Sequence, residues 1–292
     1  METPTQIFPI ELPLKAVHIQ CLDENKVPIE GANASGFICI EDEASFLYTC
    51  WHVVTGYDMH NLKTGRDLPN RTFLRVTLQQ AKYQNLSKEG IPPFEVSSVG
   101  GVQEIDLPLY HSRSKPFYPA WHQEETDLPK IDLNAIGIRV PKWHDAIKIP
   151  LPKDVRLSSM QTINVQQRDL NSPMPGDQLF IVGYPFGYSP VGMTQPTAIV
   201  LTRHLAAMSI EGRIIEVLLD GAGAPGMSGG PVFARTESGI RLIGIYTGLI
   251  YPDHVIKKSE RVTALGTYCP LSLCWRHMPL IPYVPASISD SV

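Results

Sequence analysis

Charge is scarce in this chain: 18% of its 292 residues are Asp, Glu, Lys or Arg, and the formal net charge is −4. With neither a basic surplus nor a Lys/Arg block of the kind nucleic-acid-binding arms carry, the sequence has no electrostatic footprint for polyanions, and no nucleic acid partner is expected. No apolar run approaches the roughly 18 residues that a membrane span requires. Residues 1–14 contain Glu2 and Glu11 and have no base before Lys15, so they lack the layout of a secretory signal. No membrane partner is expected either. Cysteine is limited to Cys21, Cys39, Cys50, Cys269 and Cys274, an odd and scattered set that argues against a disulfide framework and makes a cytoplasmic location the expectation. Cys269, Cys274 and His277 lack a fourth ligand at a familiar zinc-site spacing, so neither a metal nor a cofactor is implied. Helix signals are few. The best is residues 270–278, where Pro270 suits a first helical turn and Leu271, Leu273, Cys274, Trp275 and Met278 supply an apolar face.

What the chain does have is turn formers and short apolar runs: 26 prolines, 22 glycines and 43% hydrophobic residues. Segments 15–21, 36–40, 46–50 and 72–78 are rich in β-branched and aromatic residues and bounded by polar or Gly/Pro stretches, which predicts strands. The acidic interval 41–45 between two of them predicts a hairpin. A second series follows at 94–99, 103–109, 133–140, 178–182, 199–201, 214–219, 231–234 and 242–247. Regular short strands of this kind predict an all-β barrel or sandwich. The proline-marked stretch from Ile147 to Val155 suits a connection between two β units.

The most informative stretch runs from Asp220 to Val232, where Gly226, Gly229 and Gly230 flank the single serine Ser228 between two apolar segments. Acyl transfer needs backbone N–H groups aimed at a developing oxyanion, and a glycine two residues before a nucleophile leaves its amide free to turn inward. The Gly226 and Ser228 amides are the candidate oxyanion-hole donors. A serine hydroxyl also needs a base. His52 stands directly after the apolar run 46–51, which holds no Asp, Glu, Lys or Arg. The third requirement is a carboxylate that fixes the imidazole tautomer, which favours an aspartate at the start of a strand. Asp132, heading Leu133-Asn-Ala-Ile-Gly-Ile138, has that setting, with Asp127 and Asp106 as the other candidates.

The order His52, Asp132, Ser228 with Gly-Met-Ser-Gly-Gly-Pro resembles the chymotrypsin-fold (trypsin-like) serine proteases, and several blocks are similar to their HtrA-like subgroup. Ala34-Ser-Gly-Phe37, Tyr48-Thr-Cys-Trp-His-Val53, the segment after Asp132, Pro175 to Gly187, Pro225 to Pro231, Ile243 to Thr247 and Gly266 to Pro270 carry the likeness, which spans residues 15–278. Asn134 and Tyr184 depart from the subgroup's pattern. Fewer than 20 residues follow Met278, so the expectation is a member without a PDZ domain.

The resemblance implies two antiparallel Greek-key six-stranded β-barrels with a short C-terminal helix. The expected division is an extension at 1–14, a first barrel at 15–146 with an insertion at about 62–129, a linker at 147–160, a second barrel with the helix at 161–279, and a tail at 280–292. It further implies a serine endopeptidase acting on protein or peptide substrates. Ala222, six residues before the serine, with Gly223, Tyr246 and Thr247, would form an uncharged substrate pocket for small or medium apolar residues. Met227 stands where an aspartate would serve activation by N-terminal clipping, so that mechanism is not expected. A catalytically silent protease-fold module that binds polypeptides is the alternative.

Overall fold

The alternating apolar segments pair as strands in a computed structural model that describes residues 9–57, 70–84, 95–111, 118–123, 141, 144–164, 173–187, 198–211, 214–221, 223–236, 239–250 and 265–270. Two strand groups result. In the first, β1 (Val17–Leu22), β2 (Pro28–Glu41), β3 (Ala44–Thr49), β4 (Phe73–Gln84), β5 (Glu95–Pro108), β6 (His122–Gln123) and β7 (Ile147–Pro150) run in the order β5-β4-β1-β2-β3-β7-β6. A short β8 (Thr162–Asn164) adds a parallel pairing to β2. In the second, β9 (Gln178–Gly183), β10 (Ile199–Glu211), β11 (Ile214–Leu219), β12 (Pro231–Thr236), β13 (Gly239–Ile250) and β14 (Leu265–Pro270) close into a barrel of order β10-β11-β14-β13-β12-β9. The described residues are mostly β and form one closed six-stranded barrel and one eight-stranded sheet.

The acidic interval forms the hairpin expected of it: Glu41 pairs with Ala44, and Asp42 and Glu43 both take positive φ, 43° and 69°. Two positive-φ residues in a two-residue loop match the right-handed twist of the flanking strands. The segments at 94–99 and 103–109 merge into the single β5, whose register against β4 shifts near Gln79 and Gln80 and thereby absorbs the glycines between them. The interval 62–129, expected as an insertion, contributes β4, β5 and β6 to the sheet, with β4 paired directly to β1.

One expected boundary changes. Residues 147–150, read above as the start of a linker, form β7, paired with β3 and β6. Lys148 hides this strand in the sequence. Its side chain is 1% exposed, its Nζ lies 2.7 Å from Glu41 Oε2 and 4.6 Å from the centre of the Phe46 ring. A buried ammonium is tolerated because a carboxylate and an aromatic face replace its water. Of the expected closing helix, Pro270 ends β14, and residues 271–278 lie outside the described residues.

The apolar faces of both groups merge into one core that joins Ile19, Phe37, Leu47 and Trp51 to Val182, Tyr184, Phe233 and Ile245. A second cluster, including Leu179, Ile181, Val217, Leu219, Met227 and Val232, fills the barrel. The described residues contain no helix long and apolar enough to cross a membrane.

Candidate active site

His52 is carried on α1 (Trp51–Thr55), a single helical turn directly after β3. Trp51, Val53, Val54 and Thr55 are buried, which leaves His52 as the partly exposed residue of that turn. The turn ends at Gly56, in the left-handed conformation with φ 77°, whose N–H donates to His52 O at 2.8 Å. Arg71 caps it as well, donating from Nη1 to His52 O at 3.0 Å and to Val53 O. Helix C-termini leave carbonyls unsatisfied, and a guanidinium supplies both donors and favourable charge there.

The carboxylate that meets His52 is Asp145, which the sequence analysis did not single out. Asp145 Oδ1 accepts from the His52 backbone N–H at 2.9 Å, and its Oδ2 lies 2.5 Å from His52 Nδ1. An ionised carboxylate only accepts, so Nδ1 holds the proton and Nε2 is the ring nitrogen without one. The side chains are 30% and 16% exposed, open enough to reach a substrate and sheltered enough for the contact to be firm. Asp132 and Asp127 lie outside the described residues. Asp106 is on β5, bonded to Arg75 at 2.9 and 3.2 Å. The signal for Asp145 was present: it directly precedes Ala146-Ile-Lys-Ile149, an acid at the head of a strand, obscured by Lys148 and the following prolines.

Ser228 lies in the turn between β11 and β12, and the eight-stranded sheet grips that turn. Ser35 N, on β2, donates to Ser228 O at 2.9 Å, and Ser35 Oγ donates to Gly226 O at 2.7 Å while accepting from Tyr184 N at 2.9 Å. Gly229 N donates to Tyr246 O at 2.7 Å, and Tyr246 N to Gly230 O at 2.8 Å. A Cβ at Gly229 would stand 2.2 Å from both Ser35 O and Thr49 Oγ1, so only glycine lets the turn seat against β2 and β3. Gly226 has φ 91°, in the left-handed region that favours glycine. Met227 between them is fully buried in the barrel core.

Of the expected pocket residues, Tyr246 is 1% exposed and its Oη accepts from Gly223 N at 2.8 Å. Thr247 turns its Oγ1 toward Thr267 O at 3.4 Å, and Ala222 lies outside the described residues.

A closed six-stranded barrel packed on a second sheet, with an aspartate-anchored histidine on one and a glycine-flanked serine on the other, defines a chymotrypsin-like architecture. Residues 34–245 match the family model described as "Trypsin-like peptidase domain". The chain belongs to that family, which makes it a hydrolase of the serine protease kind whose substrates are proteins or peptides. No curated protein matches it.

Proposed function

We propose that the protein is a serine endopeptidase in which Ser228 is the nucleophile, His52 the general base and Asp145 the carboxylate that orients it. The double contact of Asp145 with the backbone N–H and Nδ1 of His52 carries this reading. His52 Nε2 takes the Ser228 proton as Oγ attacks the peptide carbonyl, the Gly226 and Ser228 amides hold the oxyanion, and His52 returns the proton to the departing amine. Water repeats the sequence on the acyl-enzyme. The sequence blocks given above favour the HtrA-like subgroup.

The reading extends to small or medium apolar residues before the scissile bond. In support, the Tyr246 hydroxyl closes against the Gly223 amide, and a Cβ at Gly223 would lie 2.6 Å from it, so the wall between the two is already filled by the tyrosine ring. A cytoplasmic setting is part of the same reading, supported by the absence of disulfides among Cys21, Cys39, Cys50 and Cys269, all buried.

The test is labelling of the purified protein by a fluorophosphonate at neutral pH. Wild type labels, and Ser228→Ala and His52→Ala do not. An unlabelled, folded wild type overturns the proposal and leaves a protease fold without an activated serine.

A further inference from the structure

His52 and Asp145 have a third neighbour, Cys50, which immediately precedes α1 and is fully buried. The Cys50 sulfur, one imidazole nitrogen of His52 and a carboxylate oxygen of Asp145 all lie within 4.8 Å of one another. We propose that these three side chains form a binding site for a thiophilic divalent cation of the zinc class, and that its occupation switches the peptidase off.

Zinc takes sulfur at about 2.3 Å and imidazole nitrogen or carboxylate oxygen at about 2.0–2.2 Å in a tetrahedron, which puts ligand atoms roughly 3.4–3.6 Å apart. The present cluster reaches that arrangement by shifts of about 1 Å: the 2.5 Å contact between Nδ1 and Oδ2 opens to admit the ion, and the sulfur draws in. One thiolate, one imidazole and one carboxylate are a soft and borderline donor set that selects zinc over magnesium or calcium. The fourth position is left for water. Partial exposure of His52 and Asp145 supplies the entry path from solvent. The Cys50 thiol, which donates to Tyr246 O at 3.3 Å, gives up that bond when it ionises.

The inhibition follows from proton bookkeeping, and this consequence rests on the peptidase reading. Binding releases the thiol proton to solvent. A neutral imidazole that coordinates through Nδ1 carries its proton on Nε2, so the lone pair that would accept the Ser228 proton is gone. The cation also occupies Asp145, so the histidine loses its orienting carboxylate at the same time. Sequence spacing alone does not disclose the site, because Asp145 stands 93 residues from His52.

Two measurements on the full chain, stripped of metal with EDTA, separate this proposal from the peptidase reading. The first is titration with Co2+ alone, followed by its thiolate charge-transfer band in the near ultraviolet. Wild type develops the band, and Cys50→Ser, which keeps a donor for Tyr246 O, does not. The second is the rate of fluorophosphonate labelling as Zn2+ is added. The wild-type rate falls at least about tenfold and recovers with EDTA, whereas Cys50→Ser and Cys50→Ala need at least about tenfold more Zn2+ for the same loss. A missing Co2+ band, or equal Zn2+ sensitivity in wild type and both variants, overturns the site. A Co2+ band that depends on Cys50 in a protein that never labels upholds the site and overturns the peptidase reading instead.

Discussion

At the scale of single residues, Asp145 is the side chain whose role is most sharply exposed to test. Asp145→Asn replaces an acceptor-only group by one that can present an N–H to Nδ1, which favours the tautomer with the proton on Nε2 and removes the base. We expect kcat on a peptide substrate to fall about 10³–10⁴-fold with little change in KM. Asp132→Asn should stay within about twofold of wild type if Asp145 alone orients His52. The reverse ranking in steady-state kinetics would return the role to Asp132. Glycine-flanked Ser228 and strand-end His52 were legible because each stands out against its own neighbours. Asp145 was not, since its strand is interrupted by a lysine whose burial depends on Glu41, 107 residues away.

The β4–β5 hairpin shows what one element gains from a cross-strand pair. Arg75 and Asp106 stand opposite each other in register, joined by two hydrogen bonds, with Lys26 3.3 Å from the same carboxylate. The hydrogen bond from Arg75, with help from Lys26, holds the Asp106 carboxyl below the ordinary range. A depressed folded-state pKa means stabilisation that is present above the unfolded value of about 3.9 and lost as pH falls through the folded value. Asp106→Asn should therefore cost about 0.2–1 kcal/mol in urea unfolding at pH 7. The difference from wild type should shrink as the pH is taken below about 4, and a constant difference down to pH 2 would show that the ion pair is not its source.

For the molecule as a whole, the decisive contacts are those that join the sheet to the barrel. Ser35 Oγ is bonded at once to Gly226 O and Tyr184 N, so one hydroxyl from β2 fixes both the serine turn and the end of β9. Ser35→Ala leaves Gly226 O without that donor and frees the peptide that presents the proposed oxyanion amide. Labelling and kcat should fall about tenfold or more with far-UV circular dichroism unchanged. Tyr184 spans the same junction, donating from its buried hydroxyl to Ala16 O at 3.2 Å, and burial pushes its phenol up so that the proton stays in place. Tyr184→Phe should lower stability by about 1 kcal/mol, read as a shifted urea midpoint with an unchanged slope. A changed slope would mean that the two units had begun to unfold separately.

The sequence by itself determined what depends on near neighbours: the strand segments within the described residues, through their apolar runs and flanking turns, the hairpin at Asp42 and Glu43, the glycine-rich seat of Ser228, and the histidine at the end of an apolar run. Tertiary structure alone decided which aspartate reaches His52, which carboxylate lets Lys148 be buried in β7, and which serine of the opposite unit holds the Ser228 turn. Those choices pair groups between 93 and 191 residues apart. No periodicity along the chain encodes such a pairing; it arises only when the closed barrel and the sheet bring their edges together around a common core.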